Sequence, residues 1–150
     1  MSRVQLPPPG VVEDRLQWFQ NARRAEGFVG NGDRFSMHSL LLLTDIEKSF
    51  CVGAWLSVIV LAYAVVDSTL RDLSSGSYKA KAQGLYSSDP ELEWLRELRN
   101  QIVHVSPPGT ASILWKLPPI DLSACHGALE ADARRAVSLA FRQVFASAVA

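Results

Sequence analysis

Hydrophobic residues recur every three or four positions along much of the chain, which is the spacing of amphipathic helices. Four stretches carry this pattern: Val11 to about Gly27, Thr44 to Leu73, Pro90 to Val105, and Leu122 to near the C-terminus. The pattern predicts an all-α protein, a helical bundle of four to five helices joined by polar loops. We expect a single domain over residues 11–150, preceded by an irregular leader over residues 1–10.

The stretch from Thr44 to Leu73 contains the most apolar run of the chain, Phe50 to Val66. A helix that is apolar almost all round is a buried one, and no proline interrupts this stretch, so we expect one continuous central helix. Thr44 and Glu47 have the spacing of a capping box at its start. A membrane-spanning helix is the alternative. A single span needs roughly 20 apolar residues, whereas this run is shorter and has acidic residues on both sides.

The stretch from Pro90 to Val105 has helix signals at both ends. Asp89 is a capping residue and Pro90 suits the first helical position, while Pro107-Pro108-Gly109 is a stop signal. On a helical wheel, apolar and polar residues fall into opposite arcs. The apolar arc contains Leu95, Leu98, Ile102 and Val105, and the polar arc contains Glu93, Glu97, Asn100 and His104.

Arg99 belongs to neither arc of this helix. It lies about 140° from His104 on the wheel, so we expect its side chain to point away from His104 and to lean towards the core. A buried guanidinium needs a partner, because an unpaired charge is costly to bury. Asp67, at the polar end of the most apolar helix, is the expected partner. On this interpretation alone, Arg99 and Asp67 form a structural ion pair and His104 is a surface histidine.

Composition and charge narrow the range of functions. The chain has 15 Lys plus Arg and 15 Asp plus Glu, so the formal net charge is zero, and no global basic excess argues for nucleic-acid binding. With only two cysteines we expect no disulfide framework, and with three widely separated histidines we expect no metal site. We also expect no cofactor. The N-terminal residues lack the apolar core of a signal peptide. We therefore expect a cytoplasmic protein.

Residues 95–104 read Leu-Arg-Glu-Leu-Arg-Asn-Gln-Ile-Val-His, so four residues separate Arg99 from His104 and Asn100 directly follows the arginine. This segment resembles the signature of the HEPN superfamily, an arginine followed after four to six residues by a histidine. The surroundings are also similar, because a long apolar helix ending in an acid, here Asp67, precedes the motif and an alanine-rich helix follows it. The resemblance covers roughly Asp45 to the C-terminus and implies a HEPN-like helical bundle.

The resemblance implies a metal-independent endoribonuclease that leaves 2′,3′-cyclic phosphate ends on single-stranded RNA. Arg99 and His104 would be catalytic, with Asn100 and Asp67 in support, since histidine transfers protons near neutral pH and arginine clamps phosphate. One chain supplies only one such histidine, and its Arg99 is predicted to point away. We therefore expect a homodimer in which two chains form a composite site.

The same resemblance implies a toxin–antitoxin or phage-defence setting, with an antitoxin or another protein as a partner. The alternative is a non-catalytic HEPN module that binds RNA or a partner protein. The arginine pairs 23–24 and 134–135 could extend an RNA track, but such pairs are typical of a solvated face. We expect Trp18, Trp55, Trp94 and Trp115 to be core residues rather than base-stacking platforms.

Overall fold

The computed structural model describes residues 6–27, 36–73, 84–104 and 122–149, and every regular element in these ranges is a helix. In chain order the helices are α1 (Pro9–Ala25), α2 (Met37–Val52), α3 (Trp55–Leu73), α4 (residues 84–88), α5 (Pro90–Val103) and α6 (Leu122–Val149). The prediction of an all-α helical bundle is confirmed. The described ranges contain six helices rather than four to five, because one predicted helix is two helices and α4 is additional.

Helix α3 lies at the centre of the bundle and packs mainly against α6 and α2. Helix α1 packs on α2 and α6, and α5 packs on α3 and α6. Burial of apolar side chains between these helices is the main favourable contribution to folding. Helix α6 has one apolar face, and all of its members are buried: Leu129, Ala133, Ala136, Val137, Ala140, Phe141, Val144 and Phe145.

A cluster of aromatic rings joins four of the helices around Phe50 of α2. Trp18 of α1 stacks on Phe50 with ring centroids 4.9 Å apart, and Trp55 of α3 meets it edge-on at 5.2 Å. Phe19 of α1 bridges Phe50 to Phe141 of α6, at 5.9 and 5.1 Å. Edge-to-face and offset pairs at these separations are favourable geometries for aromatic rings.

The continuous helix predicted from Thr44 to Leu73 is wrong, because the chain turns at Gly53. Its φ of 79° lies in the left-handed region, which glycine adopts without a steric penalty. The N–H of Gly53 donates to the Phe50 carbonyl at 3.1 Å, and the N–H of Ala54 donates to the Ser49 carbonyl at 2.8 Å. These bonds satisfy the last carbonyls of α2. The apolar run therefore crosses from α2 into α3, and within the described ranges no helix combines the length and hydropathy needed to cross a membrane.

Helix α2 begins before Thr44, so the predicted capping box is also wrong. Ser36 is the N-cap, and its hydroxyl accepts a hydrogen bond from the Ser39 N–H at 3.1 Å. Thr44 lies inside α2 and donates its hydroxyl to the Leu40 carbonyl at 2.9 Å. Buried residues at positions 39, 43, 46 and 50 continue one helical stripe through Thr44, and this packing outweighs the local capping signal.

The predicted start of α5 is confirmed, since the Asp89 carboxylate accepts the Glu91 N–H at 2.9 Å and Pro90 occupies the first turn. The end is two residues earlier than predicted, because α5 stops at Val103 and His104 has an extended backbone, with φ of −109° and ψ of 133°. The predicted stop at residues 107–109 lies outside the described residues. At the N-terminus, α1 begins at Pro9, inside the expected leader, and residues 6–8 are not helical.

Candidate functional site

Two helices, α5 and α3, position the residues of the Arg-His motif and their neighbours. Asn100 and the partly buried Arg99 lie near the C-terminal end of α5, and His104 follows that helix directly. Asn100 and His104 are exposed. Helix α5 packs on α3, and α3 supplies Tyr63 and Asp67, which lie one turn apart and therefore on the same face.

The structure brings Arg99 and His104 together within one chain. Arg99 Nη1 lies 3.3 Å from His104 Nε2, so the expectation that Arg99 points away from His104 is wrong. The helical wheel assumed that the helix continues through His104, whereas the extended backbone of His104 redirects its side chain. The 140° separation on the wheel therefore does not apply to this pair.

The contact between Arg99 and His104 constrains the state of the imidazole. A guanidinium has only donors, so a hydrogen bond from Arg99 requires a lone pair on Nε2. The tautomer that permits this bond has its proton on Nδ1. In that tautomer Nε2 is a proton acceptor beside a permanent positive charge.

Asp67 does not pair with Arg99, contrary to the expectation from the sequence. Its Oδ2 accepts from Arg71 Nε at 2.9 Å, and its Oδ1 accepts the Tyr86 hydroxyl at 3.3 Å. Arg71 is one helical turn after Asp67 on α3, and ion pairs at this spacing form readily. The nearer arginine therefore takes the carboxylate.

Arg99 forms its hydrogen bonds with neutral groups. Nη1 donates to Asn100 Oδ1 at 3.0 Å as well as contacting His104, and among the described residues no carboxylate lies within ion-pairing distance of it. By contrast, Arg96, one turn earlier on α5, pairs with Glu93 at 2.6 Å. Among the described residues, Arg99 thus has no carboxylate to compensate its charge, and it lies next to the exposed Asn100 and His104 at the end of α5.

Two tyrosines that sequence analysis missed complete the surroundings of Arg99. The Arg99 Cζ lies 5.3 Å from the centroid of the Tyr63 ring, and Tyr63 stacks on Tyr86 of α4 with centroids 5.8 Å apart. Tyr63 precedes Asp67 by one turn in an otherwise mostly aliphatic helix. The sequence signal for Tyr63 was a tyrosine one turn before Asp67, on the same face of the helix.

Two of the arginines proposed for an RNA track, Arg134 and Arg135, differ from Arg99. Arg134 pairs with Glu130 at 2.7 Å and lies over the Trp18 ring at 4.6 Å. Arg135 pairs with Glu91 and lies 3.9 Å from the centroid of Trp94. These charges are compensated, and the two rings are covered by guanidinium groups. Trp55 is a core residue, as predicted, and Trp115 lies outside the described residues.

Cys51 and metal-ligating groups offer no competing chemistry in the described part of the chain. Cys51 is a free thiol whose pKa is raised by burial and by the nearby Glu47 carboxylate, and a raised pKa is the opposite of what a reactive cysteine needs. The described residues contain no group of three or more His, Cys, Asp or Glu side chains arranged to hold a metal ion.

An open groove of about 620 Å³ lies beside the candidate site. Leu56, Val60 and Leu61 of α3 form its apolar floor, and Asp45 and Lys48 of α2 lie at its polar side. Ile102 of α5 also lines it, which connects the groove to the end of the helix that carries Arg99.

Comparison of the chain with models of known protein families, with curated proteins and with solved structures gives no match. The side chains at the end of α5 and the motif that they form are therefore the best guide to function.

Proposed function

We propose that the protein is a metal-independent endoribonuclease of the HEPN type, with Arg99 and His104 as catalytic residues and Asn100 in support. The observation that carries this proposal is the contact between Arg99 and His104, in which a guanidinium that forms no ion pair with the described residues lies 3.3 Å from Nε2 of an exposed imidazole. A phosphate-binding cation and a proton acceptor are two of the groups that RNA cleavage without metal requires.

In the proposed reaction, a phosphate oxygen of the RNA replaces His104 Nε2 as the acceptor of the Arg99 N–H groups. The released Nε2 takes the proton of the 2′-hydroxyl, and the 2′-oxygen attacks phosphorus. The bond from phosphorus to the 5′-oxygen breaks, which leaves a 2′,3′-cyclic phosphate and, after protonation, a 5′-hydroxyl. Arg99 neutralises the charge that develops on the phosphorane oxygens, and the Asn100 amide can donate to one of them.

The leaving 5′-oxygen needs a proton donor while His104 accepts a proton, so two groups act in one step. One chain supplies a single motif histidine. A two-fold homodimer supplies the second, because it repeats each half-site across the axis. We therefore include a composite site in the proposal, with His104 of the partner subunit as the acid. The contact between Arg99 and His104 within one chain means that the dimer is not required to bring these two residues together.

The resemblance to HEPN proteins supports single-stranded RNA as the substrate and a toxin–antitoxin or phage-defence setting, while the two cysteines without a disulfide framework support a cytoplasmic location. The alternative is a non-catalytic module that binds RNA or a partner protein. The groove beside Ile102 favours a protein partner in that case, because its floor is apolar and Leu56 is 43% exposed.

The proposed activity is tested by incubating end-labelled RNA with the protein in EDTA. His104→Ala and Arg99→Gln should each lower the cleavage rate at least about 100-fold, as expected when an acid–base group or a phosphate clamp is removed. His38→Ala and Arg142→Gln are matched controls, because both residues are exposed and lie on other helices. They should cleave at the wild-type rate.

The products give a second criterion for the nuclease. They should carry 2′,3′-cyclic phosphate ends, and a 2′-deoxy residue at the cleaved position should block the reaction. The proposal fails if wild-type protein cleaves no RNA pool faster than His104→Ala, or if EDTA abolishes the activity.

A further inference from the structure

The Tyr63 ring lies beneath the Arg99 guanidinium. The Arg99 Cζ is 5.3 Å from the ring centroid, within the roughly 6 Å over which a cation is attracted to the face of an aromatic ring. Tyr63 is partly buried against the core and belongs to α3, the central helix. The contact therefore links a side chain at the exposed end of α5 to the most firmly packed element of the fold.

Tyr63 itself packs against Tyr86. The two rings stack with centroids 5.8 Å apart and planes 20° from parallel. Tyr86 is only 3% exposed, its hydroxyl donates to Asp67 at 3.3 Å, and the Arg96 guanidinium lies over its ring at 5.8 Å. Two cations and two rings are thus connected by pairwise contacts, and Tyr86 is fixed by burial and by a carboxylate.

The geometry of this contact matters because Arg99 uses different parts of its guanidinium for different partners. Its Cζ lies over the Tyr63 ring, whereas its Nη1 group donates to Asn100 and contacts His104. When a phosphate takes the N–H groups, the hydrogen bonds to Asn100 and His104 are the ones that must give way. The contact with Tyr63 persists in both states, so it can hold a long and otherwise flexible side chain throughout the reaction.

We propose that Tyr63 is a positioning residue that holds the Arg99 guanidinium with its edge towards His104 and the scissile phosphate. In this arrangement Asp67 acts on Arg99 at a distance, by fixing Tyr86 beneath Tyr63. The kinetic part of this inference rests on the proposed endoribonuclease function. The structural part, that Tyr63 sets the contact between Arg99 and His104, can be measured without RNA.

Two substitutions separate the ring from the hydroxyl. Tyr63→Phe keeps the ring face and should retain cleavage within about twofold of wild type. Tyr63→Leu keeps apolar volume but removes the ring, and it should lower kcat/KM roughly 3- to 30-fold, the range of a cation–π contact. The loss should appear mainly in kcat, because a misplaced Arg99 guanidinium no longer neutralises the negative charge that develops on the phosphorane in the transition state.

The second readout is the tautomer of His104, measured by long-range ¹H–¹⁵N NMR of the free protein at a pH where its histidines are neutral. Wild type and Tyr63→Phe should show the proton on Nδ1. Tyr63→Leu and Arg99→Gln should show a mixture of tautomers, since Nε2 no longer accepts from Arg99. The His38 signals should be unchanged in all four proteins. A purely structural role for Tyr63 would not move this signal in a folded variant.

Failure of the inference and failure of the proposed nuclease are distinguishable. If wild type does not cleave RNA, the nuclease proposal fails, while the tautomer series still decides the role of Tyr63. If wild type cleaves and folded Tyr63→Leu matches it in kcat/KM and in tautomer, the role of Tyr63 is overturned.

A third measurement covers the case in which Tyr63→Leu does not fold, as judged by circular dichroism and thermal melting. The Arg99 side-chain protons of the wild type should then show the upfield shifts caused by a ring face. Shifts typical of an unstructured arginine would overturn the proposal.

Discussion

At the scale of single residues, Asp132 of α6 lies where its charge is disfavoured. Burial raises the pKa of its carboxyl, and Arg135 opposes that rise only in part. Ionisation is therefore harder in the folded than in the unfolded chain. The folded state loses stability as the pH rises through the unfolded pKa, about 3.9, and towards the folded value.

Asp132→Asn should consequently raise the free energy of unfolding at pH 7, because asparagine cannot ionise and has a similar helix propensity. The gain should vanish near pH 3, where the carboxyl is protonated in both states. Urea unfolding at the two pH values measures the difference. Glu130→Gln is the contrasting variant, since it removes the ion pair with Arg134 and should give no gain at pH 7. A gain for Asp132→Asn that is equal at both pH values would contradict this explanation.

The candidate site was only partly accessible to prediction from residue spacing. The motif placed Arg99, Asn100 and His104 at the end of one helix, as observed. The contact between Arg99 and His104 was not predictable from the wheel, because it depends on the φ and ψ of the one residue that follows α5. Arg71 was missed as the partner of Asp67, because the sequence analysis looked for an acid to pair with Arg99. Arg71 lies only one turn from Asp67 on the same helix.

At the scale of helices, the periodicity found which segments are helical but not where each begins and ends. Asp89 and Pro90 fixed the start of α5, because a capping carboxylate and a first-turn proline act locally. Gly53 was not recognised as a helix end, because the hydrophobic pattern continues on both sides of it and the sequence does not reveal its φ. The boundary between α2 and α3 depends on how the two helices pack together, which no local pattern contains.

Gly53→Ala tests whether this glycine defines the boundary between α2 and α3. The left-handed φ costs an alanine roughly 1–2 kcal/mol, and the new Cβ would lie 2.9 Å from Arg15 Nη1, which donates to the Cys51 carbonyl. The free energy of unfolding should fall by at least that amount in urea titrations. Gly10→Ala is the matched control, because a Cβ there meets nothing within 4 Å. Equal stability of Gly53→Ala and wild type would contradict the assigned role.

At the scale of the whole molecule, the pattern of hydrophobic positions predicted the all-α bundle because each long helix buries one face against α3. The apolar face of α6 is buried in full, as a 3.6-residue hydrophobic period predicts for the core side of a long helix. Association between two chains leaves no comparable periodic pattern in the sequence. The exposed Leu56 and Val103, 43% and 47% exposed, are compatible with an interface but do not specify a symmetry axis.

The composite site makes a prediction about mixtures of chains. If each site needs two chains, wild-type protein equilibrated with an excess of the Arg99→Gln/His104→Ala double variant should form mainly mixed dimers. The cleavage rate per wild-type chain should then fall as the wild-type fraction falls, because each mixed dimer lacks one of the two imidazoles. An equal mass of an inert protein is the control and should leave the rate unchanged.

A site confined to one chain gives the opposite result, a rate per wild-type chain that is independent of dilution with the double variant. Light scattering on the same samples establishes whether the chains associate at all, because a dimer has twice the 16.5 kDa mass of one chain. Cleavage by a protein that is monomeric at micromolar concentration would remove the partner subunit from the mechanism. The contact between Arg99 and His104 would then be the complete site, and the proton for the 5′-oxygen would have to come from water or from a group of the same chain.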